Sequence, residues 1–158
     1  MAVADQAASA TVHEKEWYID GLRFSCSQCG NCCTGPPGAV WFNEIEGQAM
    51  AALLGLDEAS FRRRYARQID GNWSLKERKT EHGYDCIFLD RSGPKEKTAC
   101  LIHPARPTQC RTWPFWPENL TSRRVWQSMK LATPCPGMDT GRLVRIEEIR
   151  IQRDAVRG

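Results

Sequence analysis

Four cysteines stand within eight residues of one another, in the run Ser-Cys-Ser-Gln-Cys-Gly-Asn-Cys-Cys. The spacing of Cys26, Cys29 and Cys32 turns three thiols back toward one point. Gly30 lets the backbone take left-handed dihedral angles at this bend. Neighbouring amides are expected to donate to the sulfurs and to favour thiolate, the form that binds metal. The run therefore predicts a metal-binding knuckle.

The fourth cysteine of the run, Cys33, directly follows Cys32. Adjacent side chains are expected to diverge, so these two thiols would serve different metal ions, or one of them would bridge two ions. A disulfide between the two would close a strained ring and is not expected.

The other four cysteines are dispersed along the chain. Cys86 and Cys100 fall on adjacent predicted strands. Cys110 lies in the first turn of a short helix opened by Pro107, where the helix dipole favours thiolate. Cys135 stands in a rigid Thr-Pro-Cys-Pro-Gly loop, and Cys-Pro also occurs at ferredoxin cluster ligands. The predicted ligands are all eight cysteines: Cys26, Cys29, Cys32, Cys33, Cys86, Cys100, Cys110 and Cys135.

Two arginines, Arg106 and Arg111, flank Cys110. Four thiolates around one Zn²⁺ leave a charge of about −2, which a guanidinium would offset. The alternative is that both arginines are ordinary surface residues. The aromatic run from Trp113 to Trp116 is expected to cover the metal site and to supply part of the core.

Three histidines complete the set of candidate ligands. His103 lies three residues after Cys100, but eight cysteines already fill two four-ligand sites, so a packing or supporting role is expected. His13 and His82 have no companion ligand nearby in the sequence and are predicted to be surface residues.

The formal net charge of +3 counts every cysteine as neutral. Eight thiolates would contribute −8 and two divalent ions +4, which changes +3 to −1. The basic balance is therefore a poor argument for nucleic-acid binding. Four arginines on the second predicted helix are interpreted as a solvated helix face rather than a phosphate site. They are Arg62, Arg63, Arg64 and Arg67.

A length of 158 residues fits one domain. The start of the chain has no basic, apolar signal segment, and no window approaches the roughly 18 apolar residues of a membrane span. A cytoplasmic, reducing setting is expected, where dense cysteines usually indicate metal or redox chemistry. We predict a flexible arm at residues 1–15, a metal-binding domain at 16–140 and a C-terminal helix at 141–158, packed on or extending from that domain.

The elements indicate a small α+β fold. Asn43 and Glu46 form a capping box for a helix that carries Ile45 on its apolar side and ends at Gly55. Asp57 caps a second helix that runs to about Gln68. Strands are predicted at 17–24, 73–79, 84–89 and 98–102, the last two forming a hairpin. Further helices are predicted around Cys110, at 122–129 and at 146–156.

Together these motifs resemble the YkgJ-type cysteine-cluster proteins, a family described as zinc- or iron-chelating. The resemblance runs from Phe24 to Gly137. It includes the Cys-x2-Cys-x2-Cys-Cys run, Cys86-Ile-Phe-Leu, Cys100-Leu-Ile-His, Arg106-Pro-Thr-Gln-Cys-Arg-Thr-Trp-Pro-Phe and Cys135-Pro-Gly. It implies metal chelation by the matching cysteines. A related, longer branch resembles flagellin lysine N-methylases.

The function predicted is metal binding, as a four-iron cluster, two zinc ions or one of each. The ferredoxin-like run favours iron–sulfur, with a redox or cluster-dependent role. One alternative is a zinc-structured interaction module or metal carrier that binds another protein. A further alternative is a relative of the lysine methylases, although no glycine-rich cofactor fingerprint follows a clear strand. No acid–base or nucleophile constellation is visible outside the cysteines, so the sequence leaves catalysis open.

Overall fold

The computed structural model describes residues 16–94 and 97–156 and shows an α+β arrangement of five helices and eight short strands. The predicted fold class is confirmed. Within the described residues, no helix is both long and apolar enough to cross a bilayer. The predicted arm at residues 1–15 lies outside the described residues, and the domain boundaries stay a prediction.

The five helices are α1 (Glu44–Leu53), α2 (Glu58–Tyr65), α3 (Thr108–Arg111), α4 (Arg123–Ala132) and α5 (Ile146–Ala155). The predicted capping box is present: Asn43 Oδ1 accepts from the Glu46 amide at 2.9 Å, and Glu46 Oε2 accepts from the Asn43 amide at 2.9 Å. Asp57 and Ser122 cap α2 and α4 in the same way. Each cap satisfies an amide that the helix itself leaves unpaired, so the sequence determines where these helices begin.

The strands form four antiparallel pairs. They are β1 (Leu22–Phe24) with β8 (Met138–Val144), β2 (Ala66–Ile69) with β3 (Asn72–Leu75), β4 (Glu77–Thr80) with β5 (Gly83–Cys86), and β6 (Leu89–Asp90) with β7 (Ala99–Cys100). The predicted hairpin between 84–89 and 98–102 is reduced to β6 and β7, in which Leu89 pairs with Cys100. Residues 17–20 form a turn, which confines the first predicted strand to β1.

The prediction that the second helix runs to Gln68 is wrong. α2 ends at Tyr65, and the chain continues as β2. Asp70 and Gly71 have φ values of 49° and 82°, both positive as a two-residue type I′ turn requires. This turn pairs β2 with β3, so the hairpin overrides the helix propensity of the preceding arginine and glutamine.

The predicted apolar face of α1 is also wrong, since Ile45 is 77% exposed. The buried residues of α1 are Gly47, Met50 and Ala51. A Cβ atom placed on Gly47 would lie only 3.0 Å from Cε2 of Phe42. The missing side chain therefore lets this face of α1 approach the Phe42 ring, and Ile45 turns outward.

Two apolar clusters fill the interior. The first, the tryptophan core, is built around β1, β8, α4 and α5: Tyr18, Leu22, Trp113, Phe115, Leu120, Trp126, Met138, Val144, Ile146 and Ile149. The second, the phenylalanine core, is built around α1, α2 and the hairpins: Phe42, Met50, Ala51, Phe61, Ala66, Leu75, Phe88 and Ile102. The predicted contribution of the 113–116 aromatic run to the core is confirmed.

An acidic residue ties the start of the described chain to α5. Glu16 Oε2 accepts from Arg150 Nε at 2.9 Å, and Glu16 Oε1 accepts from Arg153 Nη1 at 2.6 Å. The hydrogen bond from Arg150, followed by those from Arg153 and Tyr18, lowers the pKa of Glu16 to about 2. Because this pKa lies below the unfolded value of about 4.3, the stabilisation is complete above that pH and is lost as the pH falls toward 2.

We therefore expect Glu16→Gln to lower the free energy of unfolding by about 1 kcal/mol near neutral pH, since the pair is partly solvated. Urea unfolding of the wild type and the variant should give curves that converge as the pH approaches about 2. A difference between the two proteins that stays constant over the whole range would contradict this role of Glu16.

Candidate metal centre

A cavity of about 130 Å³ is lined by residues of both cores, and we call it the cysteine cavity. Trp113 from the tryptophan core and Leu75 and Ile102 from the phenylalanine core form part of its wall. Space for one water molecule needs roughly 10–15 Å³, so this cavity has room for more than a single ion. Six of the eight cysteines line it: Cys26, Cys32, Cys33, Cys86, Cys100 and Cys110.

The knuckle has the bend predicted from its spacing. Gly30 has a φ of 77° and precedes a short 3₁₀ turn, Asn31–Cys33. The Gln28 amide donates to Cys26 Sγ at 3.4 Å, and the Asn31 amide donates to Cys29 Sγ at 3.5 Å. The predicted amide-to-sulfur hydrogen bonds are confirmed.

Thr98 anchors the knuckle to the segment that leads into β7. Its amide and its Oγ1 donate to Gln28 O at 2.9 Å and 3.0 Å. A Cβ atom on Gly30 would lie 2.8 Å from Thr98 Oγ1 and 2.9 Å from Thr98 Cγ2. Gly30 is therefore required both for its positive φ and for the close approach of Thr98.

We expect Gly30→Ala to destabilise the protein by about 1–3 kcal/mol, combining left-handed strain with the clash. Zinc affinity should fall at least about tenfold, because displacing the knuckle disturbs the orientation of its thiols. Thermal unfolding and competition with a chromophoric chelator measure the two effects.

Gly55→Ala is the matched control. Gly55 has a φ of 65°, but a Cβ atom there meets nothing within 4 Å. The Gly55→Ala variant should lose only the stability that the left-handed strain costs, and its zinc affinity should be unchanged. Equal zinc affinity in Gly30→Ala and the wild type would show that the Thr98 contact does not position the thiols.

The prediction that Cys32 and Cys33 diverge is wrong, because their Sγ atoms are 3.8 Å apart. The 3₁₀ turn that carries both residues is closed by a hydrogen bond from the Cys33 amide to Gly30 O at 2.9 Å. All eight cysteines are free thiols. With metal–sulfur bonds of about 2.3 Å, two thiolates on one tetrahedral zinc are about 3.8 Å apart. The pair thus has the spacing of two ligands of a single ion.

Burial governs the protonation of the innermost thiols. It raises the pKa of Cys110 to about 12 and that of Cys86 to about 11. The predicted helix-dipole effect on Cys110 is therefore outweighed by burial. A hydrogen bond from Cys33 lowers the pKa of Cys32 to about 7, and the same contact raises the pKa of Cys33. A bound metal would displace these protons, as thiolate ligation requires.

Only one of the two arginines beside Cys110 faces the cavity. Arg106 lines it, and its positive charge opposes the rise of the pKa at Cys100 and Cys110. Arg111 does not line it; its side chain is 52% exposed, and Nη2 donates to Thr108 Oγ1 at 2.8 Å. The counter-charge interpretation therefore suits Arg106 and is wrong for Arg111.

The helix α3 carries Cys110. A contact with Glu46, which the sequence did not indicate, fixes the position of α3. Glu46, already part of the capping box of α1, accepts through Oε1 from the Thr108 amide and Thr108 Oγ1, both at 2.7 Å. On the same helix, Gln109 Oε1 accepts from the Trp41 amide at 2.8 Å. These bonds fix α3 against the α1 region and so determine where Cys110 stands.

Two cysteines, Cys29 and Cys135, do not line the cavity. Asn31 Nδ2 donates to Pro134 O at 2.5 Å, which brings the knuckle to the Cys135 loop. Burial raises the pKa of Cys135, and the charge of Cys29 adds to the rise. These two thiols are therefore neighbours, apart from the six in the cavity.

The described histidines are exposed, and two of the four arginines form local ion pairs. His103 lines the mouth of the cavity and is exposed, whereas His82 is exposed beside Glu81. His13 lies outside the described residues. On α2, Arg62 forms an ion pair with Glu58, and past the end of that helix Arg67 does so with Glu77 at 3.1 Å. These local pairs fit the predicted solvated face, and the absence of nucleic-acid binding stays a prediction.

The donor set of the cavity suits zinc and iron, because both metals accept soft thiolates. The volume and the positive charge of Arg106 also suit a thiolate centre. Among the described residues, no three Cys, His, Asp or Glu side chains stand together closely enough to hold an ion as they are placed.

A comparison with known families bears on these same residues. The model of the CxxCxxCC family, described as "Putative zinc- or iron-chelating domain", matches residues 25–136, which is 112 of the 158 residues. The matched segment contains all eight cysteines. No solved structure matches the chain.

Proposed function

Because this chain belongs to the CxxCxxCC family, we propose that its function is to hold iron or zinc at the cysteine cavity. One observation carries the proposal: six cysteines from separate segments of the chain line one cavity. Packing an apolar core does not require thiols from the knuckle, β5, β7 and α3 to come together. Clustered thiols are suitable ligands for a soft metal.

Iron, as an iron–sulfur cluster, is our first candidate. The cavity has room for more than one ion, and the six thiols that line it are of the ligand type that iron–sulfur clusters take. When bound, such a cluster supplies one-electron transfer. The apolar wall formed by Trp113 and Ile102 would limit water at the centre, and Arg106 would favour the more negative, reduced form.

Zinc is the second candidate, favoured by the 3.8 Å separation of Cys32 Sγ and Cys33 Sγ. A four-iron cluster takes one thiolate per iron, whereas zinc and two-iron clusters take two or more thiolates at one ion. A zinc centre closed by thiolates would be structural or carried as cargo, and the protein would then act by binding another protein.

Thiolate ligands also indicate the compartment. All eight cysteines are free, and a metal centre of this kind requires them to stay reduced. We therefore propose that the protein works in a reducing setting such as the cytoplasm, where unpaired cysteines are maintained.

Elemental analysis of protein purified without oxygen tests the proposal. Iron with acid-labile sulfide and broad absorbance near roughly 400 nm would support the iron–sulfur form. Zinc without colour would support the second candidate. Less than one metal ion per chain, after both anaerobic purification and reconstitution, would contradict metal binding as the function.

A further inference from the structure

We infer that the eight cysteines divide into six and two: the six cavity cysteines form one centre that holds two metal ions, and Cys29 and Cys135 lie outside it. The inference rests on the proposed function and specifies its ligand set. It differs from the simplest expectation for eight cysteines, which is two separate four-thiolate sites.

The cavity thiols are close neighbours across segments that are distant in sequence. Cys110 on α3 interacts electrostatically with Cys86 at the end of β5, Cys100 at the end of β7 and Cys32 of the knuckle. Cys33 interacts in turn with Cys110 and Cys86. Four chain segments therefore present thiols to a single space, which is the arrangement of one shared centre.

The remaining two thiols, Cys29 and Cys135, do not line the cavity. Cys135 packs against the tryptophan core, and Cys29 is the thiol whose charge acts on it. Trp113 lines the cavity and also neighbours Cys135. Cys29 and Cys135 are thus placed near each other but outside the set of thiols that lines the cavity.

Six thiolates are enough for two ions. Two tetrahedral ions have eight ligand positions, and six thiolates fill all eight if two of them bridge. The 3.8 Å separation of the Cys32 and Cys33 Sγ atoms would suit both thiolates on the same ion. Six thiolates and two divalent ions leave a charge of about −2, which Arg106 at the cavity wall partly offsets.

Zinc reconstitution of the full chain, followed by native mass spectrometry, tests the division. We expect two zinc ions on the wild type and two on the double variant Cys29→Ser/Cys135→Ser. The matched double variant Cys86→Ser/Cys110→Ser should hold at most one. X-ray absorption on the first two proteins should give the same count of about four sulfur neighbours per zinc.

A second readout avoids dependence on the folding of the variants. In the zinc-loaded wild type, a small alkylating reagent followed by peptide mass mapping should modify Cys29 and Cys135 and spare the six cavity thiols. Equal protection of all eight thiols would overturn the division.

The other outcomes separate this inference from the proposed function. Loss of zinc from Cys29→Ser/Cys135→Ser, or only one zinc on the wild type, would overturn the inference and leave metal binding intact. A wild type that takes up no zinc also overturns it. A wild type that holds neither zinc nor iron overturns the proposed function as well.

Discussion

Replacing Cys110 by serine is expected to lower zinc affinity by about a hundred- to a thousand-fold. Structural zinc sites contribute about 10–16 kcal/mol over four ligands, or roughly 3–4 kcal/mol per ligand. Cys110 is the best placed of the cavity thiols, because it interacts with four others and is held by the contact between Glu46 and Thr108. Competition with a chromophoric chelator at fixed pH measures the loss.

The matched control is Arg111→Gln, one residue further along α3. Its side chain is 52% exposed and does not line the cavity, so zinc affinity should change by less than about twofold. Arg106→Gln should fall between the two variants, because Arg106 faces the thiolates. Zinc binding by Cys110→Ser that matches the wild type would remove Cys110 from the ligand set and with it the cavity as the metal site.

Features encoded within a few residues could be predicted from the sequence. The Asn43–Glu46 capping box, the start of α3 after Pro107 and the positive φ of Gly30 all appear where local chemistry requires them. Each depends on amides or dihedral angles within about four residues of the residue concerned. The hydrogen bonds from the Gln28 and Asn31 amides to the sulfurs of Cys26 and Cys29 follow from the same local geometry.

The predictions that failed depend on partners distant in sequence. Glu46 serves α1 as expected, but its other oxygen binds Thr108, 62 residues away, which no local pattern indicates. Ile45 is exposed because Gly47 is the residue that meets Phe42. The Asp70-Gly71 dipeptide is a sequence signal of a hairpin, and it outweighs the helix propensity of the residues before it.

The grouping of the thiols depends on tertiary structure for the same reason. The sequence predicts all eight cysteines as ligands, and nothing in their spacing distinguishes Cys29 and Cys135 from the others. Only the packing of two separate cores creates one cavity where Cys86, Cys100 and Cys110 meet the knuckle. The proposed metal site would therefore also connect the two halves of the interior.

Because the cavity lies between the two cores, removing the metal is expected to destabilise the protein. Metal in the cavity binds only the folded chain, so zinc at a free concentration about a thousand times its dissociation constant should add about 4 kcal/mol to the free energy of unfolding. For a chain of this size, that corresponds to a melting temperature roughly 8–16 °C higher. Thermal unfolding at graded, buffered free zinc, with a chelator as the endpoint, measures the shift.

The metal-free chain should nevertheless remain folded, because each core buries its large side chains without help from the cavity. Phe61 in one core is 0% exposed and Trp126 in the other is 1% exposed. We expect the chelated protein to keep its far-ultraviolet circular dichroism, while amide exchange accelerates in the knuckle and α3, where the cavity thiols lie. Complete unfolding on chelation would show that the two cores cannot hold together alone. The metal would then be a structural requirement of the fold rather than a group that the folded protein binds.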